Sequence, residues 1–168
     1  MATIRILGID PGLTHTGIGV IDFDGFRSKK VHHEIISSSS SSPTPHRLAL
    51  IHEGIKRVID DYNPHAAAVE EVFVNMNPRS SLTLGVARGV ALCVPALSGI
   101  SVSEYTPNAI KKTVVGTGHA DKNQIAKMVQ LLLGCEPVSK DAADALAIAI
   151  CHAHHMSGQL INRARAFA

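Results

Sequence analysis

A chain of 168 residues with 45% hydrophobic and 18% charged residues has the length and composition of one globular domain, which argues against disorder and against several domains. Its net charge of +2 permits contact with nucleic acid but lacks the strongly basic balance of a dedicated binder. Cys93, Cys135 and Cys151 form no disulfide framework, no secretory leader is expected of MATIRILGID, and no apolar run approaches the ~18 residues of a membrane helix, so a cytoplasmic protein is expected.

The first segment, Ile4–Asp10, is a short apolar run that ends in an acid and then Pro11-Gly12. That pattern reads as a buried strand running into a tight turn. Gly17–Phe23 reads as a second strand, in a hairpin with the first, and Lys30–Ser37 as a third. The serine run Ser37–Ser42, closed by Pro43 and Pro45, reads as a flexible, solvated connector. Leu48, Ile51, Ile55, Val58 and Ile59 fall on one helical stripe, which Pro64 ends. Ala66–Val69 is a short buried strand with Glu70 at its end. A helix is predicted from Ser80 to about Leu92, with Gly85, Gly89 and Cys93 four apart, a spacing that lets a second helix approach closely, in the core or across a subunit interface. A strand follows at Ser101–Tyr105, then a short helix at Asn108–Val115 and a loop at Gly116–Ala120. Ile125, Met128, Val129 and Leu132 mark a helix ending near Gly134. The last helix, rich in alanine, runs from Asp141 to about His154. One domain is placed at 1–157, with a polar, flexible tail at 158–168. This order of elements makes an α/β fold, a mixed sheet begun by a hairpin with helices packed on it.

Four carboxylates stand out against this plan. Asp10 and Glu70 lie at strand ends, where sites gather in open α/β sheets. Asp141 and Asp144, three apart, share one face of the last helix. The helix dipole accounts for an acid in the first turn, but not for Asp144 one turn further into an apolar helix. Acids aimed at one point repel unless a cation lies between them, and hard cations such as Mg²⁺ take oxygen ligands. A pair of Mg²⁺ ions, with Mn²⁺ as a substitute, would hold the attacking and leaving oxygens of a phosphodiester. The pattern therefore points to a metal-dependent nuclease with Asp10, Glu70, Asp141 and Asp144 as ligands. Two ambiguities remain in the residues themselves. Asp10 also suits an Asp-Pro-Gly turn, and the doubled acid Glu70-Glu71 can present only one member to the site.

Among the bases, Lys111, Lys112 and Lys122 are the most suggestive; Lys122 follows the small-residue loop Gly116-Thr117-Gly118, whose amides offer a phosphate contact ahead of a helix. Phe73, in a polar loop after the Glu70 strand, is placed to stack on an unpaired base or to fold back onto the core. Cys151 and His155 lie one helical turn apart, but two ligands do not close a tetrahedral zinc site.

In order along the chain, Gly8-Ile9-Asp10-Pro11-Gly12, Val69-Glu70-Glu71-Val72-Phe73, Leu84-Gly85-Val86-Ala87-Arg88-Gly89, Lys112-Thr113-Val114-Val115-Gly116 and Asp141-Ala142-Ala143-Asp144-Ala145-Leu146-Ala147 resemble the RuvC family of bacterial Holliday-junction resolvases. The resemblance runs from about Ile4 to His154. It implies an RNase H-like fold with a five-stranded mixed sheet, and a homodimer that nicks opposing strands of a four-way DNA junction. It carries metal-binding and catalytic roles onto Asp10, Glu70, Asp141 and Asp144, favouring Glu70 over Glu71. By the same resemblance Lys111 and Lys122 stand near the scissile phosphate and Lys122 assists catalysis. Phe73 engages junction bases, and the helix of Gly85 and Gly89 pairs the subunits. Implied partners are the branch-migration proteins RuvA and RuvB. Met76 and Thr83 stand where many members carry lysine. Two rival readings are a junction-binding scaffold without catalysis, and a nucleotide-binding protein related to actin and the sugar kinases, whose first phosphate loop Gly8–Val20 also resembles.

Overall fold

A computed structural model describes residues 3–71, 78–136 and 139–166. Five strands, β1 (Ile4–Asp10), β2 (His15–Phe23), β3 (Ser28–Ser37), β4 (Ala66–Glu70) and β5 (Ser101–Tyr105), form one sheet in the order β3-β2-β1-β4-β5. β1–β2 and β2–β3 pair antiparallel, while β1–β4 and β4–β5 pair parallel. The helices are α1 (Thr44–Tyr62), α2 (Pro78–Leu97), α3 (Pro107–Val115), α4 (Lys122–Leu133) and α5 (Lys140–Ala166). The expected mixed five-stranded α/β architecture is thus present.

Strand alternation divides the core into two layers. Leu7, Ile9, Ile18, Val20, Ala67 and Val69 face one side and pack with Ile51, Ile55 and Val58 of α1 and Ala87, Ala91 and Val94 of α2. Ile6, Ile21 and Ala68 face the other, against α3, α4 and α5. Every one of these side chains is at least nine-tenths buried, so each layer removes a substantial apolar area from water.

α5 lies on β1 and β2 almost backbone to backbone. A methyl group on Gly8 would overlap the Ala145 carbonyl oxygen and come 2.8 Å from the Ala149 nitrogen. On Gly19 it would lie 2.7 Å from the Leu146 nitrogen, and on Gly17 2.8 Å from the Asp141 carbonyl oxygen. The helix answers with small residues, Ala142, Ala143, Ala145, Ala147 and Ala149, all buried. Larger groups on either side would lift α5 off the sheet.

Several boundaries differ from expectation. α2 runs five residues past Leu92 and tolerates Pro95 inside it. α1 begins at Thr44, directly after Pro43, and ends at Tyr62, capped by Asn63 in a left-handed conformation (φ 48°) just before Pro64, as expected. α5 continues past His154 to Ala166, through Gly158. The serine run is not wholly a solvated connector, because Ser38 is buried under Arg47. Among the described residues no helix is long and apolar enough to cross a membrane.

Candidate active site

β1 and β4 run parallel, and Ile9 pairs with Val69, so Asp10 and Glu70, one residue on, end side by side. Their parity matches Gly8 and Ala68, which places both side chains on the α5 face. Alternation turns Glu71 away, and its backbone nitrogen donates to the Tyr105 carbonyl at 2.8 Å. The geometry thus separates the two adjacent acids, and Glu70 is the one that joins Asp10. α5, seated on the glycines, brings its first turns over the same strand ends. Asp141 is exposed there, and Asp144, one turn deeper, is half-buried.

The lysines arrive from the flanking helices. Thr106 caps α3 by accepting from the Ala109 nitrogen at 3.1 Å, and the helix carries Lys111 towards Glu70. Asp121 caps α4, accepting from the Asn123 and Gln124 nitrogens at 2.7 and 2.9 Å, while the Gln124 side chain accepts from the Asp121 nitrogen at 2.9 Å. This capping box fixes Lys122 at the first helical position. Lys122 Nζ donates to Asp144 Oδ2 at 2.8 Å and lies 3.8 Å from Asp141 Oδ1. The Asn123 and Gln124 amides at the start of α4 are thus taken by Asp121.

Charge repulsion at this point is large. Burial raises the Asp10 carboxyl to about 7; the charges of Glu70, Asp144 and Asp141 add to the rise, and Lys122 opposes it. Burial likewise raises Glu70 to about 7, reinforced by Asp144 and opposed by Lys111 and Lys122. Lys122 is held above its ordinary value, chiefly by its hydrogen bond to Asp144. Six residues from β1, β4, α3, α4 and α5 therefore share one electrostatic site. Among the described residues no three His, Cys, Asp or Glu side chains form a ready-made metal cage, and the Lys122 ammonium pairs directly with Asp144.

The remaining candidates lie elsewhere. Phe73 falls outside the described residues, as does Met76. Gly85 and Gly89 point to open space on the outer face of α2, beside exposed Leu82, Val86 and Cys93. Cys151 Sγ contacts Thr113 Oγ1 at 3.6 Å, whereas His155 stacks on Tyr105 and His152 hydrogen-bonds the Tyr105 hydroxyl at 2.9 Å. Cys151 and His155 thus serve separate contacts. Arg47 was not singled out from the sequence, yet it is buried and braces the turn that follows Asp10. Its signal was available, since it falls four residues before Ile51 on the apolar stripe of α1.

The sequence profile of the family described as "Crossover junction endodeoxyribonuclease RuvC" matches residues 6–152. A protein of that name from Afipia carboxidovorans is 57% identical over 162 residues, covering 96% of this chain and 95% of that one. Another, from Bradyrhizobium sp. (strain BTAi1), is 54% identical over 161 residues, covering 95% and 92%. Among solved structures, T. thermophilus RuvC in complex with Holliday junction substrate superposes with a TM-score of 0.87 at 34% identity, covering 93% of this chain and 96% of that one. The yeast mitochondrial Holliday junction resolvase Ydc2 shares the fold, with a TM-score of 0.67 at 14% identity.

Proposed function

This chain belongs to the RuvC family of crossover junction endodeoxyribonucleases, and we propose that it resolves four-way DNA junctions through paired nicks made at the Asp10–Glu70–Asp141–Asp144 cluster. The observation that carries this reading is the meeting of the four acids with Lys122 at the carboxyl ends of β1 and β4. A pure scaffold has no use for such a cluster beside DNA phosphates, because it repels them. The actin-like reading rests on Gly8–Val20 alone, and that segment falls inside the RuvC family match at residues 6–152.

The donor set suits a hard divalent cation. All four candidates are carboxylates, and a dication would offset the burial and the mutual repulsion that raise Asp10 and Glu70 to about 7. Asp10, Glu70, Asp141 and Asp144 would hold Mg²⁺, or Mn²⁺ in its place, and the bound metal would supply an activated water and stabilise the leaving oxygen. Lys122 and Lys111 face the same point, where their fixed positive charges offset the charge that builds on the scissile phosphate. Asp144 orients the Lys122 ammonium through its 2.8 Å hydrogen bond. Strand cleavage that leaves 5′-phosphate and 3′-hydroxyl ends makes the nicks directly ligatable.

Two-fold substrate symmetry calls for two sites. The outer face of α2, with Gly85 and Gly89 open and Leu82 and Val86 exposed, is the surface we assign to a second copy of the chain. RuvA and RuvB are the further partners that family membership suggests.

The test is a labelled synthetic four-way junction incubated with the protein and Mg²⁺, beside a linear duplex and an Asp144→Asn control. Symmetric, ligatable nicks in the junction alone, absent with the variant, are expected. Junction binding without nicks would return the scaffold reading.

A further inference from the structure

Arg47 is 9% exposed, and its guanidinium has only neutral partners. Nε donates to Ser38 Oγ at 2.9 Å and Nη2 donates to Thr14 Oγ1 at 2.8 Å. None of the ion pairs among the described residues includes it. The sequence around it carries no acid, for no Asp or Glu occurs from Pro11 to Ile21 or from Ile35 to His52. A buried guanidinium without a counter-charge is costly. A brace needs hydrogen bonds, not charge, so bracing alone does not explain an arginine here.

Its surroundings are tied together by hydrogen bonds, and Thr14 among them faces outward. Ser38 Oγ donates to the Leu13 carbonyl at 2.6 Å, and the Ser38 nitrogen donates to the Thr14 carbonyl at 2.9 Å. Thr14 is exposed; its oxygen accepts from Arg47, which leaves its own proton available to donate outward. The position is adjacent to the active site. Thr14, just before β2, lies at most about 10 Å from Gly17, and Gly17 is the partner of Asp10. About 10 Å is the span of up to three nucleotides of a DNA strand.

We propose that Arg47 and the Thr14 hydroxyl it holds form a subsite for a DNA backbone phosphate within about three nucleotides of the one being cut. This rests on the nuclease reading above. Arg47 supplies the charge from below, Thr14 supplies the direct hydrogen bond, and the strand leaving the carboxylates is held in register by contacts that read no base. The acid-free stretches from Pro11 to Ile21 and from Ile35 to His52 suit such a path, because a carboxylate there would repel the backbone.

Junction binding by the full chain, measured in EDTA across a KCl series, separates binding from cutting. Arg47→Gln is expected to weaken binding about 5–10-fold at ~100 mM salt and to lower the slope of log K against log salt by roughly 0.9 per engaged site. Arg47→Lys keeps the charge and is expected to keep the slope. Thr14→Asp changes an exposed residue and gives Arg47 an internal counter-charge, so it should remove the same slope in a folded chain even if Arg47→Gln does not fold. Unchanged affinity and slope with Thr14→Asp would overturn the subsite, as would equal loss of slope with Arg47→Lys and Arg47→Gln, which would make Arg47 a brace. If the unaltered protein does not bind the junction, the nuclease reading fails instead.

Discussion

Replacing Asp10 with asparagine should make the metal-free protein more stable while destroying its activity. The Asp10 carboxyl stands at about 7 in the folded chain against an ordinary 3.8, for burial and the Glu70 charge both penalise its anion. The difference corresponds to about 4 kcal/mol of destabilisation once the group is charged. That figure is an upper bound, because water entry and relaxation of the acids reduce it, and a gain of about 2 kcal/mol is the working expectation for Asp10→Asn at pH 8. For a domain of this size it raises Tm by about 4–8 °C. The pH dependence has a definite sign. Between about 4 and 7 the folded chain holds a proton that the unfolded chain has lost, so wild-type stability falls as pH rises through this window. The advantage of the variant should therefore be full at pH 8, less than half at pH 5 and nearly absent at pH 4. The assay is thermal unfolding in EDTA at each pH, at one fixed protein concentration, followed by addition of Mg²⁺, which should stabilise the wild type at pH 8 far more than the variant. A variant less stable than wild type at pH 8, or a gain of equal size at pH 4 and pH 8, would refute the electrostatic account of the site.

Lys122→Met removes the ammonium bonded to Asp144 and should reduce single-turnover junction cleavage at least ~100-fold with less than a tenfold change in junction affinity; equal losses in both would make Lys122 a binding group only. Gly19→Ala pushes a methyl group to 2.7 Å from the Leu146 nitrogen, so a loss of about 2–4 kcal/mol and a Tm lowered by about 5–15 °C are expected in differential scanning calorimetry. An unchanged melting curve would remove the close helix–sheet contact from the argument. Gly89→Glu places a charge on the open face of α2, where it meets no neighbour within the chain. It should yield a folded monomer in sedimentation velocity and turn paired nicks into independent single ones, whereas a variant that remains dimeric would move the subunit interface elsewhere.

Some of this architecture is legible in the sequence because it depends on local pattern. β1 ends at Asp10 as its apolar run and Pro11-Gly12 require, and the alanines of α5 mark a helix pressed against something flat. Glu70 and Glu71 were inseparable by local pattern, and only the pairing of Ile9 with Val69 settles which one faces α5. Gly17 and Gly19 looked like ordinary strand glycines, since nothing in the sequence states that the Asp141 carbonyl and the Leu146 nitrogen lie above them. The long-range partner was missing in each case, and a residue's own identity does not disclose it. Arg47 is the clearest instance. A cation on an apolar stripe is visible in the sequence, but its hydroxyl partners are nine and thirty-three residues away.

The seating of α5 also explains how a repelling cluster survives folding. Asp10 and Glu70 are fixed by the parallel pairing of β1 with β4, which charge repulsion of a few kcal/mol does not break because both strands are buried in two core layers. Asp141 and Asp144 sit on the first turns of a helix whose backbone is seated from Asp141 on Gly17 to Ala145–Ala149 on Gly8 and Gly19. Repulsion among the acids therefore acts against a closely packed backbone and cannot swing them aside. The apolar contacts that hold α5 and the charges that oppose its first turn belong to the same helix, which is the arrangement expected when a strained site is offset by packing nearby. Softening the anchor and relaxing the acids should consequently have opposite effects on stability but the same effect on cutting. Gly19→Ala lowers Tm and Asp10→Asn raises it, and both should abolish paired nicks.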